Sequence, residues 1–152
     1  MPEGASTKNA GFACFGSFSK IVDDLKSQSP DEVFNLISKR WEGLQLLRNR
    51  IGDEAMDFQQ NGGYELFTEK DRETFNECLE QLDVVNELLF PLFKRPVFKL
   101  QKDTFGFEKI QQNIIFNPFE AQIDTGKMMQ KLLKIAYSEG ILILNNQIVT
   151  DY

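Results

Sequence analysis

The sequence predicts an α+β fold: an antiparallel or mixed sheet with flanking helices, plus one α–β unit near the C-terminus. Three observations carry this expectation. Helical apolar spacing recurs in four segments, three of them with their own start or stop signals. Short alternating segments and turn residues separate those helices. A continuous apolar run, Ile141-Leu142-Ile143-Leu144, comes after the last of them.

The elements follow in order. A short helix over about Phe18 to Lys26 places Ile21, Val22 and Leu25 on one face. Ser29-Pro30-Asp31-Glu32 is a strong helix start, because Ser29 caps, Pro30 fits the first helical position and Glu32 completes a capping box. That helix carries Val33, Phe34, Ile37, Trp41, Leu44 and Leu47 inward and stops at Gly52. Asn61-Gly62-Gly63 marks a turn, and Tyr64 to Phe67 alternates like a half-buried strand. Thr68-Glu69-Lys70-Asp71 opens a helix with Phe75, Leu79, Leu82, Val85 and Leu89 on its apolar stripe and Pro91 near its end.

Beyond it, Val97–Leu100 and Thr104–Phe107 read as a hairpin around Gln101-Lys102-Asp103. Asn113 to Ile123 is extended, with Pro118 marking an edge or a bend. Asp124 caps a helix with Met128, Met129, Leu132, Leu133, Ile135 and Ala136 on its apolar side, ending at Gly140. The run 141–144 then reads as a strand buried on both faces, as in a parallel sheet.

Composition narrows the function. The net charge of −6 argues against nucleic acid or an anionic membrane as the partner. There is no histidine, which excludes Ser-His-Asp and Cys-His nucleophile systems and His-ligated zinc within this chain. Cys14 and Cys78 stand far apart and outside any CxxC spacing, so both read as reduced core thiols. No apolar run approaches the roughly 20 residues of a membrane helix. The N-terminus carries neither a basic n-region nor an apolar h-region, and a cytoplasmic location is expected. The 14 phenylalanines fit an aromatic core, and equally a domain that walls off an aromatic ligand. The acidic pairs Asp23-Asp24, Asp31-Glu32 and Asp71/Glu73 sit at helix starts or on polar faces. There carboxylates favour the helix dipole and solvent rather than acid–base chemistry.

Near the N-terminus, Ala5-Ser6-Thr7-Lys8-Asn9-Ala10-Gly11 resembles a loop of FAD-dependent oxidoreductases of the D-amino-acid oxidase, glycine oxidase and sarcosine oxidase family. In that family the loop comes after the first βαβ unit and lies against the cofactor's pyrophosphate and flavin. Gly62-Gly63-Tyr64-Glu65-Leu66-Phe67 is similar to the strand opening the family's substrate domain. Ile123-Asp124-Thr125-Gly126-Lys127-Met128 resembles its return to the FAD domain, and Gly140–Leu144 the next strand. The resemblance covers nearly the whole chain, and the order and spacing of the motifs carry it. It implies oxidation of a C–N bond of an amino acid or secondary amine, with FAD as hydride acceptor. It also divides the chain into a cofactor-proximal loop (1–16), an α+β substrate-domain portion (17–123) and a helix–strand return to the FAD-binding domain (124–152).

By the same resemblance Ser6, Thr7, Asn9, Ala10, Gly11 and Val149 are the cofactor-binding candidates. The family's GxGxxG unit is absent from this sequence. The chain is therefore expected to be an internal piece of a longer enzyme that does not hold FAD tightly by itself. The substrate-binding and catalytic residues are expected outside it, so no catalytic residue is named. Metal ligands and covalent flavin attachment through Cys14 or Cys78 have no signal. Exposed apolar surfaces, the Ile141–Leu144 strand and the apolar N-terminal loop, would let the chain self-associate. The alternative is a free-standing, non-catalytic α+β binding or interaction module.

Overall fold

The computed structural model is α+β and describes residues 8–144, 147–148 and 150–151. Its elements run β1 (Phe12–Ala13), α1 (Phe18–Asp24), α2 (Pro30–Ile51), β2 (Gly63–Glu65), α3 (Arg72–Phe93), β3 (Lys99–Lys102), β4 (Asn113–Asn117), β5 (Ala121–Gln122) and α4 (Thr125–Ser138).

The helix boundaries reflect local chemistry. At α2 the Ser29 hydroxyl accepts from the Glu32 N–H at 3.3 Å, and the Glu32 carboxylate accepts from the Ser29 N–H at 2.8 Å. This reciprocal pair satisfies two of the orphan donors at the helix start. A single-turn 3-10 helix, Glu69–Asp71, leads into α3, with Asp71 accepting from the Thr68 N–H at 3.0 Å. Pro91 removes one N–H in the last turn, and Lys94 then closes α3 in the left-handed conformation at φ 58°. Asp124 caps α4 by accepting from the Lys127 N–H at 2.9 Å.

The main core is aromatic. Phe15 sits at its centre, with ring centroids 5.0 Å from Phe93, 5.9 Å from Trp41 and 6.4 Å from Phe98. Phe18, Val33, Ile37, Val85 and Leu89 close around it from α1, α2 and α3. A smaller core forms where α4 lies across the end of α2, burying Ile51, Met56 and Met128. Each stripe read from the sequence contributes, although Leu79 and Leu82 pack only partly buried.

Two antiparallel sheets complete the fold. One has the order β2-β4-β3, with Tyr64 opposite Phe116 and Leu100 opposite Ile115. The other pairs β1 with β5, Phe12 opposite Gln122, and Gln59 bridges to the far side of β5.

Three expectations are corrected. The partner of β3 is β4, and Thr104–Phe107 forms no strand. Gly106 at φ 74° breaks the extended path, and the Asp103 carboxylate turns the chain by accepting the Phe105 N–H at 2.9 Å. The run Ile141–Leu144 also forms no strand, and Ile141, Leu142 and Leu144 are exposed. An apolar run becomes a buried strand only where it pairs with a sheet edge, and among the described residues 141–144 pairs with none. Finally, Cys78 is buried but Cys14 is exposed, so only one of the two thiols belongs to the core.

Candidate functional site

The sequence points first to the N-terminal loop. Ser6, Thr7 and Val149 lie outside the described residues. Asn9, Ala10 and Gly11 lie together at the start of β1. The Asn9 side-chain oxygen accepts from the Gly11 N–H at 2.7 Å, a local turn that Asn forms readily. Gly11 takes φ 77° and is buried, and its carbonyl accepts from the Ile123 N–H at 2.8 Å. The loop is thereby tied to the segment where β5 passes into α4. Lys8, Asn9 and Ala10 remain exposed.

This geometry limits what the loop can offer an FAD. The Gly11 N–H already serves Asn9, so it is not a free donor for a pyrophosphate. The exposed edge at 8–10 can line one wall of a cofactor site, but the described residues form no phosphate cradle here. Gly11 acts instead as a close-approach residue, since no Cβ fits between it and Ile123.

A second surface escaped the sequence reading. Alternation along β2 and β4 places Tyr64 and Phe116 on the outer face of the three-stranded sheet, away from Ile115 and the core. The Tyr64 ring lies 4.8 Å from Phe116 and 4.9 Å from Phe105, and Phe105 lies 5.8 Å from Phe107. Tyr64, Phe105 and Phe107 are all about half exposed, which makes a contiguous aromatic patch. Gly62, at φ 78°, lets the Phe116 ring lie against the turn where a Cβ would overlap it. The clustering of Phe105 and Phe107 around Gly106 was the available signal, masked by its strand-like alternation.

The inner side of the same sheet holds a cavity of about 120 Å³ between β2, β4 and the start of α1, walled by Phe18, Phe98 and Ile115. Two carboxylates reach it, Glu65 and Glu120. Glu65 accepts from the Phe18 N–H at 2.8 Å and from the Ser19 N–H at 3.2 Å, and also from the Ser19 hydroxyl. Glu120 accepts from the Asn117 side-chain amide at 3.3 Å. Burial raises the Glu120 pKa above the ordinary carboxylic range; the Asn117 hydrogen bond opposes this, and the charge on Glu65 adds to it.

Neither thiol is set up as a nucleophile. Burial pushes Cys78 up to about 11, with the Glu65 and Glu77 charges adding to the effect. Desolvation of its sulfur and then the charge on Glu120 raise Cys14. A thiol held protonated is a poor nucleophile. Among the described residues no group of three or more acidic or sulfur side chains could hold a metal ion, and no helix is long and apolar enough to cross a membrane.

No family model, curated protein or solved structure matches the chain.

Proposed function

We propose that the chain is the substrate-domain portion of a flavin-dependent oxidoreductase that oxidises a C–N bond of an amino acid or secondary amine. The observation that carries this reading is the Gly11–Ile123 backbone junction. The resemblance assigns Gly11 to the cofactor-proximal loop and Ile123 to the last residue before the return to the FAD domain, and the two are hydrogen-bonded backbone to backbone. An insert that leaves and returns at one point requires that adjacency, whereas a solvated N-terminal tail does not.

Two further features fit. The exposed apolar residues Ile141, Leu142 and Leu144 suit a strand that pairs in a larger sheet, and they also give the isolated chain a route to self-association. The aromatic patch of Tyr64, Phe105 and Phe116 suits the wall of a ring-binding site. In this reading FAD supplies the hydride acceptor, held chiefly by a GxGxxG unit beyond these residues. The chain's own contribution is to close one side of the site with Asn9 and Ala10.

The test is the visible spectrum of the full-length polypeptide that carries these residues. Bound flavin that is bleached anaerobically by a D-amino acid, glycine, sarcosine or proline is the expected result. A colourless full-length protein would refute the reading. That outcome would favour the non-catalytic binding module, for which the exposed Tyr64–Phe105–Phe107 patch is the specific observation.

A further inference from the structure

The cavity behind the three-stranded sheet contains the one buried polar residue found among the described residues, Asn117, and it sits at a corner of the chain. From β4 the chain turns through Pro118 and Phe119 to Glu120 and enters β5. The Asn117 side-chain oxygen accepts from the Phe119 N–H at 3.0 Å, and its amide donates to Glu120. The Glu120 carboxylate lies over Gly63 in β2, where any Cβ would overlap it. Its backbone carbonyl accepts from the Gly62 N–H at 3.0 Å. Glu120 is therefore the piece that presses the β4–β5 corner against β2.

The groups around it leave its charge uncompensated. Glu65 from β2 faces the same cavity, already fixed by the first N–H groups of α1, and Tyr64 lines its edge. Cys14, between β1 and α1, is close enough for Glu120 to act on its thiol. Arg40 of α2 points its guanidinium to the Phe15 carbonyl at 3.1 Å. Arg95, after α3, lies 4.6 Å over the Phe119 ring. Lys99 of β3 is opposite Phe116, on the other face of the sheet. Among the described residues neither Glu65 nor Glu120 takes part in an ion pair.

The corner reaches the N-terminal loop through β5. That strand pairs with β1, and the next residue, Ile123, donates to the Gly11 carbonyl. The geometry points to a proton-operated latch: with the Glu120 carboxyl neutral the β4–β5 corner closes on β2, and with it ionised the corner loosens and slackens the hold of β5 on the Gly11 loop. The sign is fixed by linkage. A carboxyl whose folded pKa is raised contributes stability that is fully present below its unfolded pKa and is lost as pH rises through the folded value. The latch is tightest in acid and opens toward neutral and alkaline pH. It does not rest on the flavin reading, because it operates in the chain without cofactor and is measured there.

The experiment combines carbon-13 NMR titration of the glutamate carboxyls with amide hydrogen exchange from about pH 4.5 to about pH 8, corrected for base catalysis. Glu120 is expected to titrate above the ordinary glutamate value. Protection of the Gly62 and Ile123 amides is expected to fall as it ionises, by the factor its raised pKa carries through linkage. Amides in α3 serve as the reference and keep their protection. In Glu120→Gln the Gly62 and Ile123 protection becomes flat with pH. An ordinary glutamate titration for Glu120, or the same loss of protection in Glu120→Gln, would overturn the latch. The titration of the parent chain decides the matter alone if the variant does not fold.

Discussion

Gly11 and Ile123 hold each other backbone to backbone. The Ile123 N–H donates to the Gly11 carbonyl at 2.8 Å, and a Cβ on Gly11 would lie 2.5 Å from the Ile123 carbonyl oxygen. Glycine is needed here twice over, for its positive φ and for the close approach. The junction places the candidate cofactor loop beside the start of α4, and through β5 it joins that loop to the Glu120 corner.

This relationship gives the first prediction. Gly11→Ala should destabilise the chain by about 2–3 kcal/mol, combining left-handed strain with a backbone collision that nothing nearby can relieve. Gly106→Ala tests the strain alone, because Gly106 has φ 74° but nothing within 4 Å of a Cβ. Its cost should stay near about 1 kcal/mol. Urea unfolding of both variants provides the comparison, and equal costs would show that the close approach contributes nothing.

Asn86 gives the second. Its side-chain oxygen accepts from the Val97 and Phe98 N–H groups at 2.8 and 2.9 Å, and its amide donates to the Phe98 carbonyl at 2.9 Å. This one side chain substitutes for a missing strand neighbour and fixes the segment that leads into β3. Asn86→Leu leaves those backbone groups without partners and should cost about 3 kcal/mol. Asn86→Asp keeps both acceptor interactions and should lose less at neutral pH. Chemical denaturation of the two variants decides the order.

Helix starts were legible in the sequence because their chemistry is local. Ser29 with Glu32, Thr68 with Asp71, and Asp124 with Lys127 each act across three residues. The pairing of β3 was not legible, since Phe105 and Phe107 alternate as well as Ile114 and Phe116 do. Only the positive φ of Gly106 and the Asp103 turn separate the two cases. The run 141–144 misleads for a different reason: apolar character records a preference for burial without naming the partner. The roles of Glu65 and Glu120 depend on chain that returns from far away, Asn86 acts on the segment just past the end of its own helix, and no spacing in the sequence announces any of them. At the candidate site the tie between Asn9 and Gly11 was within reach of the sequence, but the meeting of Gly11 with Ile123 was not.

The third prediction concerns acid. The Arg48 guanidinium, bonded to Asp53 at 2.7 and 2.8 Å, holds its carboxyl below the usual range. Hydrogen bonds from Gln59 and Lys127 do the same for Asp57, and bonds from Ser29 do so for Glu32. A depressed folded pKa contributes stability present above the unfolded value and lost as pH falls through the folded one. The melting temperature should therefore decline steadily below about pH 4, the ordinary carboxylate range. Asp53→Asn should show a shallower decline. An unchanged acid limb in that variant would show that the Arg48 pair contributes nothing there.

The flavin proposal turns on whether the loop at Asn9–Gly11 borders the cofactor. Ala10 is exposed in the chain and its side chain is small, so Ala10→Phe should leave folding intact and obstruct only a bound partner at that edge. The measurement is FAD dissociation from the full-length polypeptide, followed by flavin fluorescence, for Ala10→Phe and for Lys70→Phe as an equally bulky change at a distant exposed position. A loop that borders the flavin gives at least roughly tenfold weaker FAD binding for Ala10→Phe, about 1.4 kcal/mol, and unchanged binding for Lys70→Phe. Equal affinities in the two variants, or no flavin binding at all, would rule that placement out.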